Sequence, residues 1–147
     1  MEETWFANLE GTGKGSLIKM ATFEEIIAET GTILGIEDFE PDAEGCCVIV
    51  SEEAEISLMY CPDAGEKVLL TTKIMDLPYE KNNLFVAALE ANHQFAATKG
   101  ATVSFDEEDN SLALSMYLPL GILTAEFLVA KIEDFTTALF ALRERFA

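Results

Sequence analysis

The chain is poor in the residues that nucleic-acid binding and most catalysis require. Of its 147 residues only nine are Lys or Arg, against 27 Asp or Glu, giving a formal net charge of −18. Phosphate recognition depends on clustered Lys and Arg, so this balance excludes a nucleic-acid partner. Adsorption to an anionic membrane is disfavoured for the same reason. Histidine occurs once, as His93, and cysteine three times, as Cys46, Cys47 and Cys61. A zinc site would need all four, yet there is no CxxC or HxxxH spacing, so neither a metal nor a cofactor is expected. Cys46 and Cys47, adjacent in a strand, would face opposite sides and could not easily share a ligand site, so three buried, reduced thiols are expected. No window approaches the ~18 continuous apolar residues of a membrane-spanning helix, so no membrane insertion is expected. The opening Met1-Glu2-Glu3-Thr4-Trp5-Phe6 lacks the basic and apolar regions of a secretory signal, which points to the cytoplasm.

Catalytic patterns are missing as well. Gly11-Thr12-Gly13-Lys14-Gly15-Ser16 looks like a phosphate loop, but the spacing is wrong and no apolar strand precedes it. The acidic run Asp106-Glu107-Glu108-Asp109-Asn110 lacks the central Gly and terminal Glu of an EF-hand and reads as a solvated hairpin loop. His93 has no nucleophile and orienting carboxylate placed beside it, so a structural or interface histidine is the plainer reading. Paired carboxylates single out nothing in so acidic a chain. The protein is expected not to be an enzyme.

What is present is apolar residue, half of the chain, enough for one hydrophobic core in one domain. Residues 1–21 stand apart as a Gly-rich leader of uncertain order, and Met20 would make a sensible start for the compact unit. Thr22 and Glu25 form a capping box for a first helix carrying Phe23, Ile26, Ile27, Ile33 and Leu34, with Gly35 as its stop. The period then changes from 3.6 to 2. Strands are expected over residues 46–50, 55–60 and 67–74, joined by connections short enough for an antiparallel meander. A second helix spans residues 84–97, stopped by Thr98-Lys99-Gly100, and strands follow over 101–105 and 111–118. Thr124 caps a last helix whose apolar positions, Leu128, Ile132, Phe135, Leu139, Leu142 and Phe146, make one stripe. The order α-β-β-β-α-β-β-α describes a single α+β domain, a twisted antiparallel sheet flanked by three helices.

The second helix is apolar or small on nearly every side, so more than one of its faces must be covered. In a domain this small, a second copy of the chain is a natural cover.

Several segments resemble the class I type III secretion chaperones, the Tir chaperone family. They are Phe23-Glu24-Glu25-Ile26-Ile27 with Leu34-Gly35-Ile36, then Asp42-Ala43-Glu44-Gly45-Cys46 and Ile56-Ser57-Leu58. Most telling is Leu89-Glu90-Ala91-Asn92-His93-Gln94-Phe95 followed by Thr98-Lys99-Gly100-Ala101-Thr102, and Leu118-Pro119-Leu120 fits too. The match covers residues 22–147, and the leader departs from it. The resemblance implies a cytoplasmic, non-enzymatic homodimer that holds the N-terminal segment of a secreted effector extended, soluble and ready for export. An extended partner of this kind can join a sheet edge and seat alternate side chains in surface grooves. The competing reading is a regulatory or immunity-type protein of similar fold that masks one folded partner.

On this basis the dimer seam is expected at Leu84, Ala88, Ala91, Asn92 and Phe95 of the second helix, with Val103 beside it. Ala91→Glu is the natural probe of that seam. Effector contact is expected at Ile26, Ile33 and Ile36 in or beside the first helix, and at Val48, Ile49 and Met59 on the first strands.

Overall fold

A computed structural model of the chain describes residues 22–147; the leader expected over residues 1–21 lies outside the described residues. Helix α1 covers Phe23–Leu34. Its capping box is complete: the Glu25 N–H donates to Thr22 Oγ1 at 3.2 Å, and the Thr22 N–H donates to Glu25 Oε1 at 2.8 Å. Gly35 closes the helix in the left-handed region, at φ 76°, where a side chain would be strained. The buried stripe is Phe23, Ile26, Ile27 and Thr30, whose hydroxyl donates to the Ile26 carbonyl at 2.7 Å. Ile33 and Leu34, expected on that stripe, lie outside it on the exposed side.

Five strands follow the periodicity closely: β1 Cys46–Val50, β2 Glu55–Cys61, β3 Lys67–Asp76, β4 Thr102–Asp106 and β5 Ser111–Pro119. They form one antiparallel sheet in the order β1-β2-β3-β5-β4. The register slips between Lys73 and Met75, a bulge near the end of the longest strand. Alternation sends Cys47, Ile56, Leu58, Val68, Leu70 and Leu114 to one face, where all are buried. These residues join the apolar sides of α1 and of helix α3, Ala125–Phe146, in one core.

Helix α3 behaves as its pattern requires. Thr124 Oγ1 accepts the Phe127 N–H at 3.1 Å, and all six residues of the expected stripe are buried. Each such side chain contributes about 1.5–3 kcal/mol by leaving water. Near its C-terminal end the Arg143 guanidinium ties three segments together. Nε donates to the Ile74 carbonyl at 2.9 Å, Nη2 to that of Lys73 at 3.0 Å, and Nη1 to that of Glu53.

Helix α2 departs most from its pattern. It runs over Asn82–Asn92 and gives way to a 3₁₀ turn, His93–Phe95, in which Gln94 and Phe95 both take φ 59°. The apolar periodicity of residues 84–97 runs past the end of the helix into the turn that leads to β4, where Phe95 is half-exposed and Ala97 half-buried. The Gly100 N–H donating to the Phe95 carbonyl at 3.0 Å fixes that turn. Among the cysteines only Cys47 is buried; Cys46 and Cys61 are half-buried on the opposite face, which corrects the expectation of three buried thiols. Burial first, then the neighbouring Cys46 and Asp42, push the Cys47 thiol up to about 12.

Candidate partner-binding surfaces

The described residues hold no group of three or more His, Cys, Asp or Glu side chains placed to bind a metal. None of their helices is long and apolar enough to cross a membrane. His93 sits exposed at the end of α2 rather than inside a helix. The acidic run after β4 is occupied in closing its hairpin. Asp106 Oδ1 accepts the N–H groups of Glu108 and Asp109 at 3.1 and 3.2 Å. Asp109 pairs with Lys73 at 2.9 Å; that bond first, then one from Ser111, holds its carboxyl below the usual range. The unsatisfied parts of the molecule are apolar surface and strand edge.

The first such surface is the outer side of α2 with the β4 edge. Leu89 is 72% exposed, Val86 56% and Phe95 50%. Phe105, half-exposed on β4, meets Phe85 of α2 edge-on, with ring centroids 5.2 Å apart. The expected seam residues divide here. Leu84 is half-buried and Phe95 is open, but Ala91 has no exposed surface and Ala88 and Val103 almost none. These three pack inside the protomer, because small residues let α2 settle closely against β4. Asn92 has an internal task as well: its carboxamide accepts the Val103 N–H at 2.7 Å and donates to the Val103 carbonyl at 3.0 Å. The edge of β4 is thus capped at its centre by a side chain. Val86, Leu89 and Phe105 were not expected at this surface. Their signal was the surplus of apolar residues around α2, which sequence cannot split into inner and outer faces.

The second surface is the sheet face turned away from α1 and α3. Val48 and Met59 stand exposed on it, as expected of partner contacts, joined by Val50 and by Tyr117 of β5. Ile49 points the other way and is half-buried against the core. Ile26, 1% exposed, is wholly core and has no surface to offer. Both corrections follow from alternation and helical phase, which fix opposite sides but not which side is covered. Ile33 is exposed at the end of α1, and half-buried Ile36 lines a groove there.

The edge of β1 completes this surface. The Tyr60 N–H donates to the Gly45 carbonyl and the Ser51 N–H to the Ala54 carbonyl, so odd-numbered residues face β2. Antiparallel alternation then turns the main-chain groups of Cys46, Val48 and Val50 outward. Asp42 takes those of Cys46: its N–H donates to the Cys46 carbonyl at 2.8 Å, and its Oδ1 accepts the Cys46 N–H at 3.0 Å. Val48 and Val50 are left with both main-chain groups and side chains facing solvent.

Against known proteins, the model of the Tir chaperone protein (CesT) family matches residues 25–146. Three solved structures are similar in fold. A chain of the ExsC-ExsE complex is 18% identical with a TM-score of 0.69, over 79% of this chain and 86% of that one. A chain of the HopA1-SchA chaperone-effector complex is 18% identical with a TM-score of 0.66, over 81% and 91%. The third is from the Yersinia pestis type III secretion chaperone SycH in complex with a stable fragment of YscM2. It is 15% identical with a TM-score of 0.65, over 86% of this chain and all of that one. No curated protein sequence matches the chain.

Proposed function

Because the chain belongs to the Tir chaperone protein (CesT) family, the type III secretion chaperones, we propose that it binds the N-terminal segment of a secreted effector as a cytoplasmic homodimer. The effector segment is held extended and kept competent for export, and the chaperone performs no chemistry on it. The observation that carries this reading is the surface formed by Val48, Val50 and Met59, where apolar side chains and open main-chain groups coincide. Such a surface suits an extended chain, which can pair along the edge and seat alternate side chains on the face. A chaperone-effector complex and a type III secretion chaperone bound to a protein fragment, among the structures of similar fold, support the same assignment.

The outer side of α2 is assigned to the second copy. Val86, Leu89 and Phe95 would be covered across a two-fold axis, where one patch meets its own image. Leu84 and Phe105 flank that patch. Asn92, Ala88, Ala91 and Val103 support it from within by holding α2 against β4. Binding a wrapped, extended segment buries much apolar surface while ordering that segment costs roughly 2–5 kcal/mol of the gross interaction. The acidic exterior keeps such a protein soluble before its cargo arrives.

Co-expression with candidate effectors tests the reading. A fragment of roughly the first hundred residues of the cognate effector should co-purify, protease-sensitive beyond the bound part. Binding only of an intact, folded partner would instead indicate a masking protein.

A further inference from the structure

The open edge of β1 lies between two groups of carboxylates. At its start Asp42 bonds both main-chain groups of Cys46, which closes that point to an added strand. Asp42 and Glu44 stand exposed at this end. At the other end the turn into β2 carries exposed Glu52 and Glu53, and Glu55 lies opposite Val50. These three acids line an open hollow of about 360 Å³ with Val50, Lys73 and Arg143. The two cations there are already committed. Lys73 pairs with Asp76 and Asp109 at 2.8 and 2.9 Å, and the Arg143 guanidinium donates to three carbonyls. Among the described residues none of the five carboxylates takes part in an ion pair.

The edge thus offers the main-chain groups and apolar side chains of Val48 and Val50 between two acidic ends. A second copy of the chain does not fit it. Two β1 edges paired antiparallel, Val48 against Val48, place Glu44 of each copy opposite Glu52 of the other. With Val48 against Val50, Glu52 comes level with Cys46 and its Asp42 cap. Like charges set opposite one another destabilise a strand pair, and charge is one means of keeping sheet edges apart. A segment of opposite charge gains what a second copy loses. Strand alternation fixes its spacing. On an added strand, the residues level with Cys46, Val48, Val50 and Glu52 stand two apart and share one face. Its outer two positions, about 20 Å apart, meet the acids, and its inner two lie beside the valines.

We propose that the β1 edge selects an extended segment in which two alternating apolar residues are flanked on both sides by basic ones. Asp42 with Glu44 receives one charge, and Glu52 with Glu53 the other. The selection rests on the reading of β1 as the cargo edge and names the chemistry of the cargo it takes. The same carboxylates keep two copies from pairing edge to edge while Val48 and Val50 stay open.

Two synthetic peptides of one composition and charge, with blocked ends, test the selection on the intact protein. The first reads Lys-Thr-Val-Thr-Val-Thr-Lys, and its isomer Lys-Lys-Thr-Thr-Thr-Val-Val loses the spacing. The first should bind about tenfold or more tightly than the isomer, a difference of about 1.4 kcal/mol. On nitrogen-15-labelled protein it should shift the amide signals of Val48 and Val50. A Glu44→Lys, Glu52→Lys variant should no longer distinguish the two peptides. Equal binding by wild type would reduce the effect to general attraction to an acidic protein and overturn the proposal. Binding of neither peptide, shifts confined to other elements, or an undiminished preference in the variant would overturn it too. Shifts at Val48 and Val50 on concentrating the wild-type protein alone would assign the edge to a second copy, with the same result. No effector enters these measurements. Their failure leaves effector co-purification free to succeed, and failure of co-purification leaves the charge preference of the edge standing.

Discussion

The two edges of the sheet are finished in different ways. At β4 the Asn92 carboxamide covers the main-chain groups of Val103, and the apolar side chains of α2 stand over that edge. At β1 only Cys46 is capped, by Asp42, and Val48 and Val50 are left open. An edge already capped by a side chain can recruit a partner only through side-chain packing. An edge with free N–H and C=O groups can recruit one through backbone pairing. The contrast teaches that one fold carries two unlike surfaces, the first able to offer only side-chain packing and the second also main-chain hydrogen bonds.

Substitution on α2 separates the inside of its surface from the outside. Ala91→Glu forces a carboxylate into a site with no exposure, and should cost about 4 kcal/mol or more in chemical denaturation, whatever the oligomeric state. It therefore probes the fold rather than the seam. Leu89→Glu is the clean probe of association. Its side chain is largely exposed in the protomer, so the monomer's stability should change by no more than about 0.5 kcal/mol. Light scattering should show association weakened by about 2–3 kcal/mol, since two carboxylates would meet across the axis. A wild-type monomer at micromolar concentration would remove α2 from the seam.

Asn92→Ala blurs the difference between the edges by uncapping β4. It should cost about 1–3 kcal/mol through two lost hydrogen bonds, and hydrogen exchange at Val103 should rise sharply. The converse change closes β1. Val48→Pro removes an outward N–H that bonds nothing within the protomer, a place where an edge strand tolerates proline. Effector affinity should fall about tenfold, about 1.4 kcal/mol, with little loss of fold stability; unchanged affinity would exclude pairing along that edge.

Cys47 gives the smallest effect near neutral pH. Its folded pKa of about 12 lies above the ordinary 9.0, so the folded state holds the proton longer than the unfolded one. Its contribution is fully present below pH 9 and is lost as pH rises from 9 towards 12. At pH 8 an alkylating reagent should modify Cys46 and Cys61 well before Cys47.

Much of this architecture was legible in the chain because its cues are local. The capping box at Thr22 and Glu25, the stop at Gly35 and the alternation in β5 each depend on neighbours a few residues away. The stripe of α3 was legible because its six apolar residues recur at unbroken steps of four and three from Leu128 to Phe146. Helix α2 was harder, since its apolar residues surround it and the pattern ran past Asn92 into a turn. Sites were least legible. Val48 and Ile49 are neighbours of like chemistry, yet one is exposed on the open sheet face and the other packs on the core. Ile26 and Ile33 share a helix with equally opposed outcomes.

The sequence by itself determined the elements, their order, the acidic exterior and the family, because periodicity, capping and charge are properties of short windows and of composition. Only the tertiary structure decided which edge of the sheet stays open, that Asn92 caps the other, and which apolar residues remain exposed. Those outcomes depend on what lies across space from each residue. Hydrophobic burial is non-directional: it dictates that apolar surface be covered, and the assembled fold alone determines which of it is left over.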